Sequence, residues 1–116
     1  MKKTLLFKWT TSRSRDTWGY DICSLWVEGK KVAWCNGGGY DMLGTCLGDY
    51  IAMTFQDKLK TLNPAEFSGL IENKGRILCD GGYGFSSMEY ILNALGYRLQ
   101  YHKTSGQNSL YTISPK

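Results

Sequence analysis

The chain has 116 residues, enough for one well-buried core and too few for two, so a single α+β domain spanning 1–116 is expected. With 42% hydrophobic residues, including four Trp, eight Tyr and four Phe, it can offset chain entropy by apolar burial, which excludes intrinsic disorder. A net charge of +4 falls short of the strongly basic signature of a dedicated nucleic-acid binder and licenses only a modest preference for anionic partners, while the absence of any apolar run near the roughly 20 residues of a membrane span excludes a transmembrane helix.

Residues 4–10 alternate Leu5, Phe7 and Trp9 against Leu6 and Lys8, the period of a strand with one face in a core. A polar loop over 10–16 follows. Strands over about 20–27 and 31–35 meet across Glu28-Gly29-Lys30, a connection whose Gly signals a hairpin. The first half therefore reads as a three-stranded antiparallel meander. The period then changes: Leu43, Leu47, Tyr50, Ile51, Thr54, Phe55 and Leu59 recur at three and four, predicting an amphipathic helix of some 17 residues with Asp41 as its N-cap. Gly44 and Gly48 share one side of that helix and suit close packing against a neighbour.

Asn63-Pro64-Ala65-Glu66 starts a short helical turn, ended by Gly69. Residues 76–79 form a short apolar run with strand character. Ser86 and Glu89 form a capping box for a helix whose buried face is Met88, Ile91, Leu92 and Leu95 and which stops at Gly96. A hairpin of strands 97–103 and 110–114 closes the chain around the loop 104–108. The expected fold is an antiparallel sheet, an N-terminal meander plus a C-terminal hairpin, packed with two main helices in the order βββα(α)βαββ.

Two segments share one plan. Trp34-Cys35-Asn36-Gly37-Gly38-Gly39-Tyr40-Asp41 and Leu78-Cys79-Asp80-Gly81-Gly82-Tyr83-Gly84-Phe85 each run from an apolar strand end through Cys, Asn or Asp and glycines to Tyr, and each leads into a helix. Glycines let a backbone approach a ligand, the N–H groups opening a helix attract anions, and a tyrosine ring offers a stacking surface for a base. Neither segment matches the P-loop or the dinucleotide fingerprint, and Asn, Asp and Gly are also what an ordinary strand-to-helix turn recruits. Asp41 and Asp80 would repel a phosphate unless they cap helices or face a ribose. Arg13 and Arg15, with Trp18 beyond them, form the best anion-contacting loop, because guanidinium forks bind phosphate and stack on rings. The candidate ligand-binding set is thus Arg13, Arg15, Trp18, Asn36, Gly38, Gly39, Tyr40, Asp41, Asp80, Gly82, Tyr83 and Ser86.

No catalytic set emerges. His102 is the sole histidine and has no evident partner, and Cys35 and Cys79 have no motif placing a base beside them. The four cysteines, at 23, 35, 46 and 79, include no close-spaced ligand pair, so no metal or other cofactor is expected. The start of the chain turns charged after three apolar residues, unlike a signal peptide, which leads to the expectation of a cytoplasmic protein with reduced thiols.

The stretches Thr11-Ser12-Arg13-Ser14-Arg15-Asp16-Thr17-Trp18-Gly19-Tyr20-Asp21-Ile22-Cys23 and Cys35-Asn36-Gly37-Gly38-Gly39-Tyr40-Asp41-Met42-Leu43-Gly44-Thr45 resemble a group of small uncharacterised proteins of tailed phages and prophages. Asp80-Gly81-Gly82-Tyr83-Gly84-Phe85-Ser86-Ser87 is similar to their second Gly-rich segment less closely. The resemblance implies a phage accessory protein in a bacterial cell, of the anti-defence or host-takeover kind, working by binding. A nucleotide-like ligand at the two turns is the leading expectation. A protein-binding inhibitor docking its Trp-rich sheet or Arg13 loop on a host effector such as a nuclease, and direct DNA or RNA binding through Arg13, Arg15 and exposed aromatics, are the alternatives; self-association is left open.

Overall fold

The computed structural model describes residues 2–11, 21–36, 41–67, 69–72, 75–77 and 84–116. Alternation sets the strands: β1 (Lys3–Thr11), β2 (Asp21–Val27) and β3 (Lys30–Asn36) form the meander, and β4 (Tyr97–Ser105) and β5 (Asn108–Pro115) form the closing hairpin. β5 pairs antiparallel with β1, giving one five-stranded antiparallel sheet in the order β3-β2-β1-β5-β4. The α+β layout expected from the sequence is the one observed.

The β2–β3 connection is a two-residue turn in which Glu28 and Gly29 both take positive φ (51° and 80°), matching the mirror-image turn that fits strand twist. The closing hairpin is tighter than the sequence suggested. Its strands run on to Ser105 and back from Asn108, so only Gly106 and Gln107 remain between them, with Gly106 at φ 60°.

The helices cover one face of the sheet. α1 (Met42–Thr54) and α2 (Gln56–Leu59) replace the continuous helix that the periodicity predicted. The break is at Phe55, whose φ of −114° and ψ of 28° leave the helical region while its N–H still bonds Ile51 O. Its ring packs on Tyr50 and Tyr97, at 6.0 and 4.7 Å between centroids, so burial of the aromatic fixes the kink. A 3₁₀ turn over Pro64–Phe67 stands where the Asn-Pro signal put a helical start. Within the apolar run 76–79, Ile77 forms an isolated bridge with Ile71; residues 78 and 79 lie outside the described residues. α3 (Phe85–Ala94) packs against α1 and β4.

One apolar cluster fills the space between sheet and helices. Strand parity supplies Leu5, Phe7, Cys23, Leu25, Ala33, Leu99 and Ile113, and the helices supply Cys46, Leu47, Ile51, Met88, Ile91 and Leu92. Gly44 and Gly48 are buried positions of α1, which lies against β2, β3 and α3, as their spacing suggested.

A second close approach fixes the segment after the 3₁₀ turn. Gly75 has φ 74°, and a Cβ there would stand 2.7 Å from both Cα and N of Lys60. Gly75→Ala therefore combines a strained backbone with a clash against main chain that cannot swing away, and costs about 2–4 kcal/mol. Urea unfolding checks this, with Gly69→Ala, whose Cβ would enter open space at φ 82°, expected to cost about 1 kcal/mol.

Candidate functional site

Strand directions bring the described flanks of the candidate segments to one end of the sheet. β1 ends and β2 begins together, with Thr10 opposite Ile22; β3 ends beside them, with Asn36 also opposite Ile22; and β5 begins nearby, with Asn108 opposite Lys8. The chain on both sides of segments 12–20 and 37–40 is thus anchored at this end, as is the tip of the β4–β5 hairpin through Trp9 N–H to Gln107 O at 2.9 Å.

Asp41 joins the two Gly-rich plans. It is the N-cap of α1, with φ −77° and ψ 95°, and its Oδ1 accepts from Gly44 N at 3.0 Å. Its other oxygen, Oδ2, accepts from Phe85 N at 2.8 Å, at the first residue of α3, 44 positions along the chain. One carboxylate therefore caps two helices and lies on the positive end of both dipoles. Thr45 adds two bonds to Asp41 O, from its N and its Oγ1, each 3.0 Å.

This arrangement corrects the capping box. α3 begins at Phe85 with Gly84 as its N-cap, φ −72° and ψ 137°, and Gly84 O accepts from Met88 N. Ser86 lies inside the first turn, exposed, and does not cap the helix. The cap comes from Asp41 instead, a tertiary contact that no local spacing in the segment 84–89 announces.

Aromatic rings extend from this junction along the helix-covered face of the hairpin. Phe85 contacts Phe7 and Tyr111, at 6.0 and 5.4 Å between centroids, and Tyr111 contacts Phe7 and Tyr101, at 5.5 and 5.3 Å. The series ends at Tyr101, 53% exposed, whose hydroxyl lies 2.7 Å from Thr104 Oγ1. Burial, then the neighbouring Tyr101, Glu89 and Asp41 charges, push the Tyr111 phenol above its ordinary range, so it stays a neutral hydroxyl at physiological pH. Sequence reading missed Tyr101 and Tyr111 here, because only the β1–β5 register brings the hairpin beside the start of α3.

Below the first turn sit three thiols. Cys23 and Cys35 are paired residues of β2 and β3, and Cys46 of α1 reaches both: its Sγ is 3.6 Å from Cys35 Sγ and 3.4 Å from Cys23 O. Cys35 Sγ also donates to Met42 O at 3.4 Å, tying the end of β3 to the start of α1. The hydrogen bond with Cys23, then burial, push the Cys46 thiol well above its ordinary value, so it holds its proton. Among the described residues no group of three His, Cys, Asp or Glu side chains is arranged to hold a metal ion.

Of the twelve candidate ligand-binding residues, Asn36, Asp41 and Ser86 are described, and Asp41 and the start of α3 are brought together. Arg13, Arg15, Trp18, Gly38, Gly39, Tyr40, Asp80, Gly82 and Tyr83 lie outside the described residues. His102 is on β4, its Nε2 2.8 Å from Thr112 Oγ1. Among the described residues no helix is long and apolar enough to cross a membrane. Comparison with protein-family models, curated proteins and solved structures gives no match to this chain.

Two predictions follow from this geometry. Asp41→Ala removes acceptors from both helix starts and lowers unfolding stability by about 1–3 kcal/mol; Asp41→Asn, whose amide oxygen keeps one N–H, loses less, as urea midpoints will read. In thiol labelling with peptide mapping, half-buried Cys35 reacts first among the three described cysteines. Fully buried Cys23 and Cys46 react only at the rate of opening, and Cys46 is not accelerated between pH 7 and 9, because its thiolate forms only above that window.

Proposed function

We propose that the chain is a non-enzymatic phage accessory protein that binds a nucleotide-like ligand at the loop end of its sheet. The observation that carries this reading is the Asp41 carboxylate held between the starts of α1 and α3. The flanks of both Gly-rich segments thereby share one surface, with exposed Asp41, Gly84 and Ser86 beside the aromatic series Phe85, Tyr111 and Tyr101.

The same carboxylate constrains the ligand. It already accepts one N–H at each helix start, so a phosphate placed there would meet a negative charge. Each carboxylate oxygen accepts about two hydrogen bonds, leaving capacity for donors such as ribose hydroxyls or an exocyclic amine. A ligand oriented that way directs its phosphate elsewhere. Arg13 and Arg15, in the segment anchored at this end between β1 and β2, supply the matching charge. Sequestering a host signalling nucleotide is the action this chemistry suits, and the resemblance to phage proteins supports a role against host defence.

Calorimetry against linear and cyclic mono- and dinucleotides tests the reading. Saturable binding is expected, weakened at least about tenfold by Tyr40→Ala with Tyr83→Ala or by Arg13→Ala with Arg15→Ala. No heat from any member of the panel, or binding unchanged in both double variants, overturns it.

A further inference from the structure

The face of the sheet opposite the helices has a composition of its own. Register places Thr4, Leu6, Lys8 and Thr10 of β1 there, beside Ile22, Ser24 and Trp26 of β2, Lys31 and Trp34 of β3, and Leu110 and Thr112 of β5. Two tryptophans are thus turned away from the core. Trp34 is 55% exposed, and Trp26 is half-buried with its indole N–H donating to Ser24 Oγ at 3.0 Å. That bond fixes the tilt of the Trp26 ring on the sheet.

Each ring carries a lysine. Lys8 Nζ stands 4.3 Å from the Trp26 ring centroid, and Lys31 Nζ stands 5.9 Å from that of Trp34. Beside Trp26 is a shallow depression of about 240 Å³, lined by Thr4, Leu6, Lys8, Trp26, Gly29 and Leu110. Along the hairpin the same face continues with Gln100, His102 and Lys103, and Arg98 pairs with Ser114 at its margin. Among the described strand residues of this face there is no Asp or Glu. A face whose strands carry lysines, one exposed and one half-buried indole and no carboxylate, with the Glu28 carboxylate at its margin accepting from Thr4 N, calls for a partner that is both anionic and aromatic.

We infer that this face binds single-stranded nucleic acid, with bases stacked on Trp34 and Trp26 and phosphates held by Lys8, Lys31 and Lys103. The register sets their placement. Trp34 lies opposite Ser24 and Trp26 opposite Lys31, so the two indoles stand on adjacent strands at successive outward positions of one face, placed to take neighbouring bases of one strand. A duplex hides its base faces in the stack and could offer this surface only phosphates, leaving both indoles without partners. An acidic protein segment would match the lysines and also leave the indoles unused. The inference concerns a different face from the loop-end site and stands without it.

Fluorescence anisotropy with labelled twelve-residue oligo(dT) and oligo(U) tests it, the two probes separating DNA from RNA. Saturable binding to at least one is expected. Trp34→Ala weakens it about tenfold without lowering the melting temperature, since the ring is exposed. Lys8→Gln with Lys31→Gln reduces the slope of log affinity against log salt by about 1.4, two phosphates at roughly 0.7 each. In the background of Arg13→Ala with Arg15→Ala, which weakens mononucleotide binding at the loop end, Trp34→Ala still lowers oligomer affinity about tenfold. No binding to either oligomer, equal affinity for duplex, no loss in Trp34→Ala, or loss only in the arginine variant would each overturn the inference.

Discussion

The Asp41 carboxylate between two helix starts is the contact on which the loop end depends. An isolated helix N-terminus exposes N–H groups with no intrahelical acceptor, and the N-cap of α3, Gly84, has no side chain to supply one. Asp41 answers this need from the other helix. Because its Oδ1 is tied to Gly44 N and its Oδ2 to Phe85 N, α1 cannot shift along α3 without losing a cap. The contact therefore fixes helix packing as well as helix ends, and it positions Phe85 for its ring contacts with Phe7 and Tyr111.

Beneath it, the sheet gives the two sides of the protein different chemistry through one alternation. On β2 the inward residues are Cys23 and Leu25, fully buried, while Ser24 and Trp26 face out. The register shift between Leu25 and Trp26 preserves this division on β3: Ala33 remains inward opposite Leu25, and Lys31 comes opposite Trp26 on the outer face. A second shift, between Tyr101 and Lys103, keeps Tyr101 with Tyr111 on the helix side and brings Lys103 opposite Leu110 outside. The first irregularity sets an indole and a lysine opposite each other on the outer face; the second keeps its tyrosine inside and turns its lysine out.

Much of the architecture was legible because it follows local rules. Alternation of Leu5, Phe7 and Trp9 marked β1, the Glu28-Gly29 pair marked the first hairpin, and an Asp before an amphipathic run marked the α1 cap. The errors share a cause. Ser86 and Glu89 have capping-box spacing, yet the helix starts one residue before Ser86 because its cap arrives from Asp41. The period of three and four runs through Phe55 unbroken, since one kinked residue does not change which positions are apolar. Tyr101 and Tyr111 could not be placed near the turns without knowing that β5 pairs with β1 rather than at the far edge. Those features depend on contacts distant in sequence, which pattern reading does not reach.

The tryptophans show the same limit in its most consequential form. Trp9, Trp26 and Trp34 all lie on strands, and composition alone makes them core material. Parity separates them: Trp9 shares the inner face with Leu5 and Phe7 and packs against the core, whereas Trp26 and Trp34 share the outer face with Lys8 and Lys31. A slip of one residue by β1 against β2 would turn Leu5, Phe7 and Trp9 outward and bury Lys8 beside Cys23. The penalty for desolvating that charge adds to the loss of apolar burial in holding the register. The constraint that stabilises the fold is therefore also the one that keeps both indoles, each beside a lysine, on the uncovered face.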